Sequence, residues 1–198
     1  MRFVLASASQ GRWDALNRAG IRMERLASGV DEDAVTAPSV RELVQALADL
    51  KARAVADRLG GEALVLGCDS LLEFDGETLG KPPSVEATIE RWQRMRGRSG
   101  TLHTGHCLID LAGARTATAT VSTTVRFADI DDGEIELYVS TGEPSNVAGG
   151  FTIDGWGSWF IDGVDGDPSN VIGVSLPALR RMIRELGYGL RDLDYPFY

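Results

Sequence analysis

The sequence predicts an α/β protein built on a mixed sheet. Short apolar runs alternate with amphipathic stretches of helical period along the chain. Those runs are bounded by glycine, serine and aspartate, the residues that punctuate strands and helices. No internal repeat, low-complexity segment or linker interrupts the pattern, so one domain over residues 1–198 is expected. Hydrophobic residues form 43% of the chain and charged residues 25%, which predicts a packed core and excludes disorder.

Residues 2–6 form the first apolar run and read as a buried strand. The small-residue loop SASQGR follows, then a helix over 12–19 with Trp13, Leu16 and Ala19 on one face and Gly20 as its stop. That order delivers Ser7, Ser9 and Arg12 to a helix N-terminus, where unpaired N–H groups favour an anion. Residues 21–26 are a second candidate strand, followed by the acidic loop VDEDAV. The clearest helix spans 39–59: Ser39 and Glu42 have the spacing of a capping box, and Gly60-Gly61 ends it. Lys51 falls at its middle, off the most apolar stripe.

Residues 63–67 read as a central strand ending at Cys68-Asp69-Ser70. A hairpin is expected about Asp75-Gly76, then GKPP, then a helix over 84–96 with Ile89, Trp92 and Met95 on one side. Residues 116–127 alternate as a strand and are expected to pair with 101–111 across Ala112-Gly113-Ala114. A bend is expected at Gly105, between His103 and His106. A short helix over 131–139 carries a second capping-box spacing at Glu134. Short strands are expected around Trp156, Trp159 and Phe160, and a last helix over 176–186 closes at Gly187.

Composition also excludes functions. Twenty basic against 29 acidic residues leave a formal charge of −9, which argues against general nucleic-acid binding. No apolar run approaches the ~20 residues of a membrane span, and residues 3–6 are too short for a signal-peptide core. A cytoplasmic protein is therefore expected. Two cysteines, Cys68 and Cys107, give neither a disulfide framework nor a Cys-x-x-Cys pair, and two histidines make a His-rich zinc site improbable.

Lysine is scarce. Of the 20 basic residues only Lys51 and Lys81 are lysine, in a chain that otherwise uses arginine. A lysine retained against that bias suits a task needing a compact ammonium, such as neutralising a phosphate.

The candidate chemistry lies in Ser7/Ser9/Arg12, in Glu32, in Asp69 and in Gly80-Lys81. Each alone has a plain reading: Asp69 as a turn residue, Glu32 as solvated surface, Arg12 as an ordinary first-turn arginine. Together they form a coherent set. Glu32 and Asp69 can hold Mg²⁺ or Mn²⁺ through oxygen ligands, and Arg12, Lys51 and Lys81 can neutralise a polyphosphate. No Walker A sequence is present, so the set does not describe a P-loop protein.

Eight pieces occur in order: LASASQGR, VDED, LADLKARAVA, VLGCDS, LGKP, HTGH, TGEPSNVAGGF and GDPSNVIGVSLPAL. In them the chain resembles the Maf-type nucleoside triphosphate pyrophosphatases, also called septum formation inhibitor proteins, from Leu5 to about Leu186 and most closely their actinobacterial branch. The resemblance implies an elongated fold similar to the inosine triphosphate pyrophosphatases, with a nucleotide cleft between two lobes. It further implies a divalent metal cofactor, a homodimer, and cleavage of a nucleoside triphosphate to monophosphate and pyrophosphate.

Residue by residue, it puts Ser9 and Arg12 on the phosphate-binding loop, Ser7 beside them, and Glu32 on the second acidic motif. Lys51 falls on the helix lysine, Asp69 on the catalytic aspartate and Lys81 on the lysine before proline. Glu32, Lys51 and Asp69 are then the expected catalytic residues, with Glu32 and Asp69 the metal ligands.

Two positions depart from the family members that prefer thymidine or uridine triphosphates. Gly11 replaces the first arginine of their SPRR loop, and Asp154 stands where they carry glutamine. An ionised Asp154 can only accept hydrogen bonds, which suits the N1–H and amino group of a guanine-type base. Gly11 leaves room for a larger base. A preference for guanine-type or modified purines is expected. The rival readings are a nucleotide-binding regulator of cell division with incidental or no hydrolysis, and an inosine triphosphate pyrophosphatase.

Overall fold

A computed structural model describes residues 1–193 of the chain; the aromatic tail Tyr195–Tyr198 lies outside the described residues. Among the described residues seven strands and six α-helices follow in the order β1 (Phe3–Leu5), α1 (Gln10–Arg18), β2 (Glu24–Arg25), α2 (Val40–Ala56), β3 (Leu64–Phe74), β4 (Glu77–Leu79), α3 (Val85–Met95), β5 (Ser99–Asp110), β6 (Arg115–Phe127), α4 (Asp132–Ser140), β7 (Ile161–Asp165), α5 (Pro168–Ile172) and α6 (Leu176–Glu185). The sheet order is β2-β1-β3-β5-β6-β7, with β4 paired to β3. β1 runs parallel to β2 and β3, whereas β3/β4 and β6/β7 are antiparallel. The expected α/β class with a mixed sheet is what the chain adopts.

The contacts divide the chain into two compact units. The first holds Met1–Asp69, Thr104–Val121 and the described residues from Gly173 on; the second holds Ser70–His103 and Ser122–Ile172. In the first unit Val4, Ala6, Val55, Ala56, Ala63 and Val65 form one buried cluster, and Ala48, Ala52 and Cys107 another. The second unit has an aromatic core. Trp92 meets Phe127, Tyr138 and Phe160 edge to face at centroid distances of 5.7, 5.3 and 6.1 Å, and its indole N–H donates to the Gly150 carbonyl at 2.9 Å. Edge-to-face geometry sets a positive ring edge against a negative face, so these contacts add to the burial of the rings.

Several expectations are corrected. β3 does not end at Cys68-Asp69-Ser70 but runs unbroken through it, so Asp69 sits within a strand rather than past its end. β5 likewise continues as one strand through Gly105. Residues 156–160 form a 3-10 helix, and the strand follows at Ile161. The 21–26 strand shrinks to two residues. At α2 only half of the expected capping box forms. The Ser39 hydroxyl accepts from the Glu42 N–H, but the Glu42 carboxylate turns to the Ser39 hydroxyl instead of the Ser39 N–H. The box at Asp131 and Glu134 is complete.

Two glycines set the distance between α2 and the sheet in the first unit. A Cβ on Gly67 would run into the Ala48 carbonyl oxygen and stand 2.7 Å from the Ala52 nitrogen; one on Gly105 would run into the Val44 carbonyl. Backbone cannot yield as a side-chain tip can. Gly67→Ala is therefore expected to lower stability by about 3 kcal/mol, the upper range for overpacking. Urea unfolding checks this, and a loss well under 1 kcal/mol would mean that the helix can back away.

Candidate active site

The close approach of α2 places Lys51. Gly67 and Asp69 lie two residues apart on β3 and so share a face of the sheet. Lys51 sits on α2 between Ala48 and Ala52, the residues that face Gly67. It is not set apart from the apolar face, as its position in the sequence suggested, but buried on it, only 6% exposed. Its ammonium donates to Asp69 Oδ1 at 2.6 Å and pairs with Glu32 Oε1 at 2.8 Å. Asp69 is as buried as the lysine, while the Glu32 side chain is half exposed.

Burial pushes the Asp69 carboxyl above the ordinary aspartate range; the charges of Lys51 and Arg12 oppose this without cancelling it. A carboxylate held this way is more basic than one in water, which suits it to receive a proton. Burial also pushes the neighbouring Cys68 thiol up to about 12, so Cys68 is a neutral, buried group and not a nucleophile.

Arg12 comes from α1. Ser9 caps α1 and its hydroxyl accepts from the Arg12 N–H at 3.4 Å. The Ser7 hydroxyl accepts from the Ser9 N–H at 3.1 Å and from Arg12 Nη1 at 3.3 Å. Arg12 Nε donates to the Gly173 carbonyl at 2.9 Å, and the side chain is buried. The loop thus presents a fixed guanidinium, two hydroxyls and a helix N-terminus with no acidic residue in its first turn, an arrangement favourable to an anion.

Sequence reasoning missed the support behind Arg12. The Ser175 N–H donates to His106 Nε2 at 2.8 Å, and His106 Nδ1 lies 3.1 Å from the Ala119 carbonyl. An amide N–H can only donate, so Nε2 holds the lone pair and Nδ1 the proton, which fixes a neutral imidazole. His106 thereby anchors the backbone two residues beyond the carbonyl that Arg12 grips. A backbone carbonyl leaves no trace in sequence, so nothing there marked Gly173. His103 belongs to the second unit, where its ring meets Glu73 at 3.0 Å and Ser122 at 2.8 Å.

Five of the sequence-predicted residues thus gather in the first unit as two groups, Glu32–Lys51–Asp69 and Ser7–Arg12, with Ser9 capping α1 beside the second and Gly11 within it. Lys81 and Asp154 belong to the second unit, and both are exposed.

The donor set fits a divalent cation shared with a ligand. Glu32 and Asp69 already direct an oxygen each at one cationic centre, the Lys51 nitrogen, and carboxylate oxygens are the hard donors that Mg²⁺ or Mn²⁺ takes. Among the described residues no group of three His, Cys, Asp or Glu side chains gathers as an all-protein cage. Mg²⁺ sites that rest on one or two carboxylates plus phosphate oxygens need none.

The fold and this cluster define an α/β protein with a buried lysine–aspartate pair and a buried, hydrogen-bonded arginine. The chain belongs to the Maf-like protein family, whose model matches residues 2–186. It is 54% identical over 197 residues to the nucleoside triphosphate pyrophosphatase of Streptomyces coelicolor, covering 98% of this chain and 95% of that one. With the protein of the same name from Thermosynechococcus vestitus it shares 50% over 192 residues, 97% of each chain. Against the nucleoside-triphosphatase / dITP/XTP pyrophosphatase structure from Mycobacterium abscessus the TM-score is 0.40 at 15% identity, over 66% of this chain and 76% of that one, a likeness too slight to place the fold. No helix among the described residues is long and apolar enough to cross a membrane.

Proposed function

We propose that the protein hydrolyses nucleoside triphosphates between the α- and β-phosphates, releasing a nucleoside monophosphate and pyrophosphate. The observation that carries this reading is the buried Lys51 ammonium joined to both Asp69 and Glu32, on a chain half identical to named nucleoside triphosphate pyrophosphatases over nearly its whole length. Asp69 accepts a proton from the water whose oxygen forms the new bond to the α-phosphorus. The bond from that phosphorus to the bridging oxygen breaks, and pyrophosphate leaves with the electron pair.

Lys51 holds the Asp69 carboxylate in one orientation through the 2.6 Å hydrogen bond. Arg12, with the Ser7 and Ser9 hydroxyls and the α1 N-terminus, binds the phosphates and stabilises the charge that grows on them. Lys81, exposed in the second unit, is a further candidate cation for phosphate. Glu32 and Asp69 would hold a divalent cation, which when bound polarises the phosphoryl group and offsets charge on the leaving group.

Asp154 selects the base in this proposal. Ionised Asp154 accepts from the N1–H and amino group of a guanine-type base and faces uracil or thymine O4 with a repelling charge. Asp154→Gln supplies an amide that can donate to O4, so relative kcat/KM should move toward dTTP and UTP by about tenfold, the value of a hydrogen bond lost on one side and gained on the other. An unchanged ranking across a panel of nucleotides would remove Asp154 from base selection.

The reaction itself is tested by pyrophosphate release with Mg²⁺, Mn²⁺ or EDTA. Turnover with either metal and none with EDTA is expected. Undiminished turnover in EDTA would refute the metal, and binding without release would refute the hydrolysis.

A further inference from the structure

Glu143, which the proposed reaction does not use, lies in the second unit in a 3-10 turn after α4. Its carboxylate accepts four hydrogen bonds: from the Tyr138 hydroxyl at 3.0 Å, the Thr152 hydroxyl at 2.5 Å, the Trp156 N–H at 2.9 Å and the Gly157 N–H at 2.8 Å. Three of the four donors come from residues 152–157, and they bracket Asp154 on both sides. The bend is shaped around the carboxylate. A Cβ on Gly155 would stand 2.8 Å from Glu143 Cδ, and one on Gly157 would stand 2.6 Å from both the Tyr138 hydroxyl and the Thr152 carbonyl.

The Trp156 and Gly157 N–H groups can only donate and so favour an acceptor there; burial raises the Glu143 carboxyl, but the four bonds outweigh it and hold it below the ordinary range. The exposed Asp154 therefore stands on a segment fastened at Thr152 before it and at Trp156 and Gly157 after it.

We propose that Glu143 is the positioning residue for base selection: its carboxylate clamps residues 152–157 so that Asp154 is presented in one orientation. The proposal rests on the role given to Asp154 above. A clamped segment has met its ordering cost on folding, so a base that matches Asp154 gains the full hydrogen bonds. A loose segment lets Asp154 turn away from a mismatched base, and discrimination falls.

The test uses the full chain with Mg²⁺ and nucleoside triphosphate analogues whose α–β bridge cannot be hydrolysed. The dissociation constants of the guanine and thymine analogues are compared in the unmodified protein, Glu143→Gln, Thr152→Val, Asp154→Gln and the double variant Glu143→Gln/Asp154→Gln. Glu143→Gln should cut the guanine-over-thymine ratio about tenfold, roughly one hydrogen bond's worth, and Thr152→Val by a smaller factor. Amide exchange at Trp156 and Gly157 should quicken in Glu143→Gln. The double variant should match Asp154→Gln alone, because a residue acting through Asp154 has nothing left to position.

A preserved ratio in both single variants, an equal weakening of both analogues, or a further loss in the double variant would overturn the proposal. Thr152→Val keeps the carboxylate and carries the test should Glu143→Gln fail to fold. The ratio is read in binding, so a failure of pyrophosphate release bears on the reaction alone.

Discussion

Asp69→Asn is expected to keep the fold and lose about 10²–10³-fold in kcat, the range for removing one group that acts on the transition state. The amide is nearly isosteric with the carboxylate and can still accept from Lys51 at the same point. It cannot take a proton from water. Stability should fall only modestly, since the amide oxygen still accepts from Lys51 and Glu32 still pairs with it. A matching melting curve with activity near that of the unmodified protein would mean that another group is the base.

Lys51→Met is expected to fail differently, losing stability as well as turnover. Removing one partner of a buried pair leaves the other charge uncompensated, at a cost of about 3–5 kcal/mol. The lower end applies here, because Arg12 still acts on Asp69 and Glu32 is half exposed. At about 2–4 °C per kcal/mol for a chain of this size, the melting temperature should fall by roughly 10 °C.

The pH dependence has a definite sign. Without Lys51 the Asp69 carboxyl is raised further, so the folded state binds a proton that the unfolded state releases, and stability falls as pH rises. The deficit of Lys51→Met should therefore shrink on acidification toward the folded carboxyl's range. The double variant Lys51→Met/Asp69→Asn should recover part of the stability and none of the activity, since it removes the uncompensated charge but leaves a buried amide without its lysine partner. A deficit that does not change with pH would place the loss in packing instead.

The residues of this cluster were legible in sequence, but their placement was not. Lys51 and Asp69 stood out because lysine is rare in the chain and because a carboxylate follows the apolar run ALVLG. Propensity then set Asp69 in a turn, since Asp and Ser favour turns. The strand continues instead, because Lys51 satisfies the Asp69 carboxylate within the sheet and Leu72 and Phe74 resume the buried alternation. Lys51 reads as peripheral on a helical projection. Gly67 and the small Ala48 and Ala52 bring the sheet close enough to bury it, and that depends on a partner far along the chain.

Local signals fared best where the chemistry was local. The Asp131/Glu134 box formed in full, and the hairpin at Asp75-Gly76 has positive φ at both residues, +53° and +75°. Residues 156–160 went the other way. Their aromatic composition favours strand, but Glu143 takes the N–H groups of Trp156 and Gly157 and fastens the segment as a 3-10 helix.

The most direct test of the central claim is where water's oxygen ends up. A nucleoside triphosphate is turned over in heavy-oxygen water, and the products are weighed by mass spectrometry. Attack on the α-phosphorus, as Asp69 is proposed to promote, puts one heavy oxygen in the nucleoside monophosphate and none in pyrophosphate, with labelled product lost in Asp69→Asn. Label in the pyrophosphate, or release of orthophosphate, would contradict it.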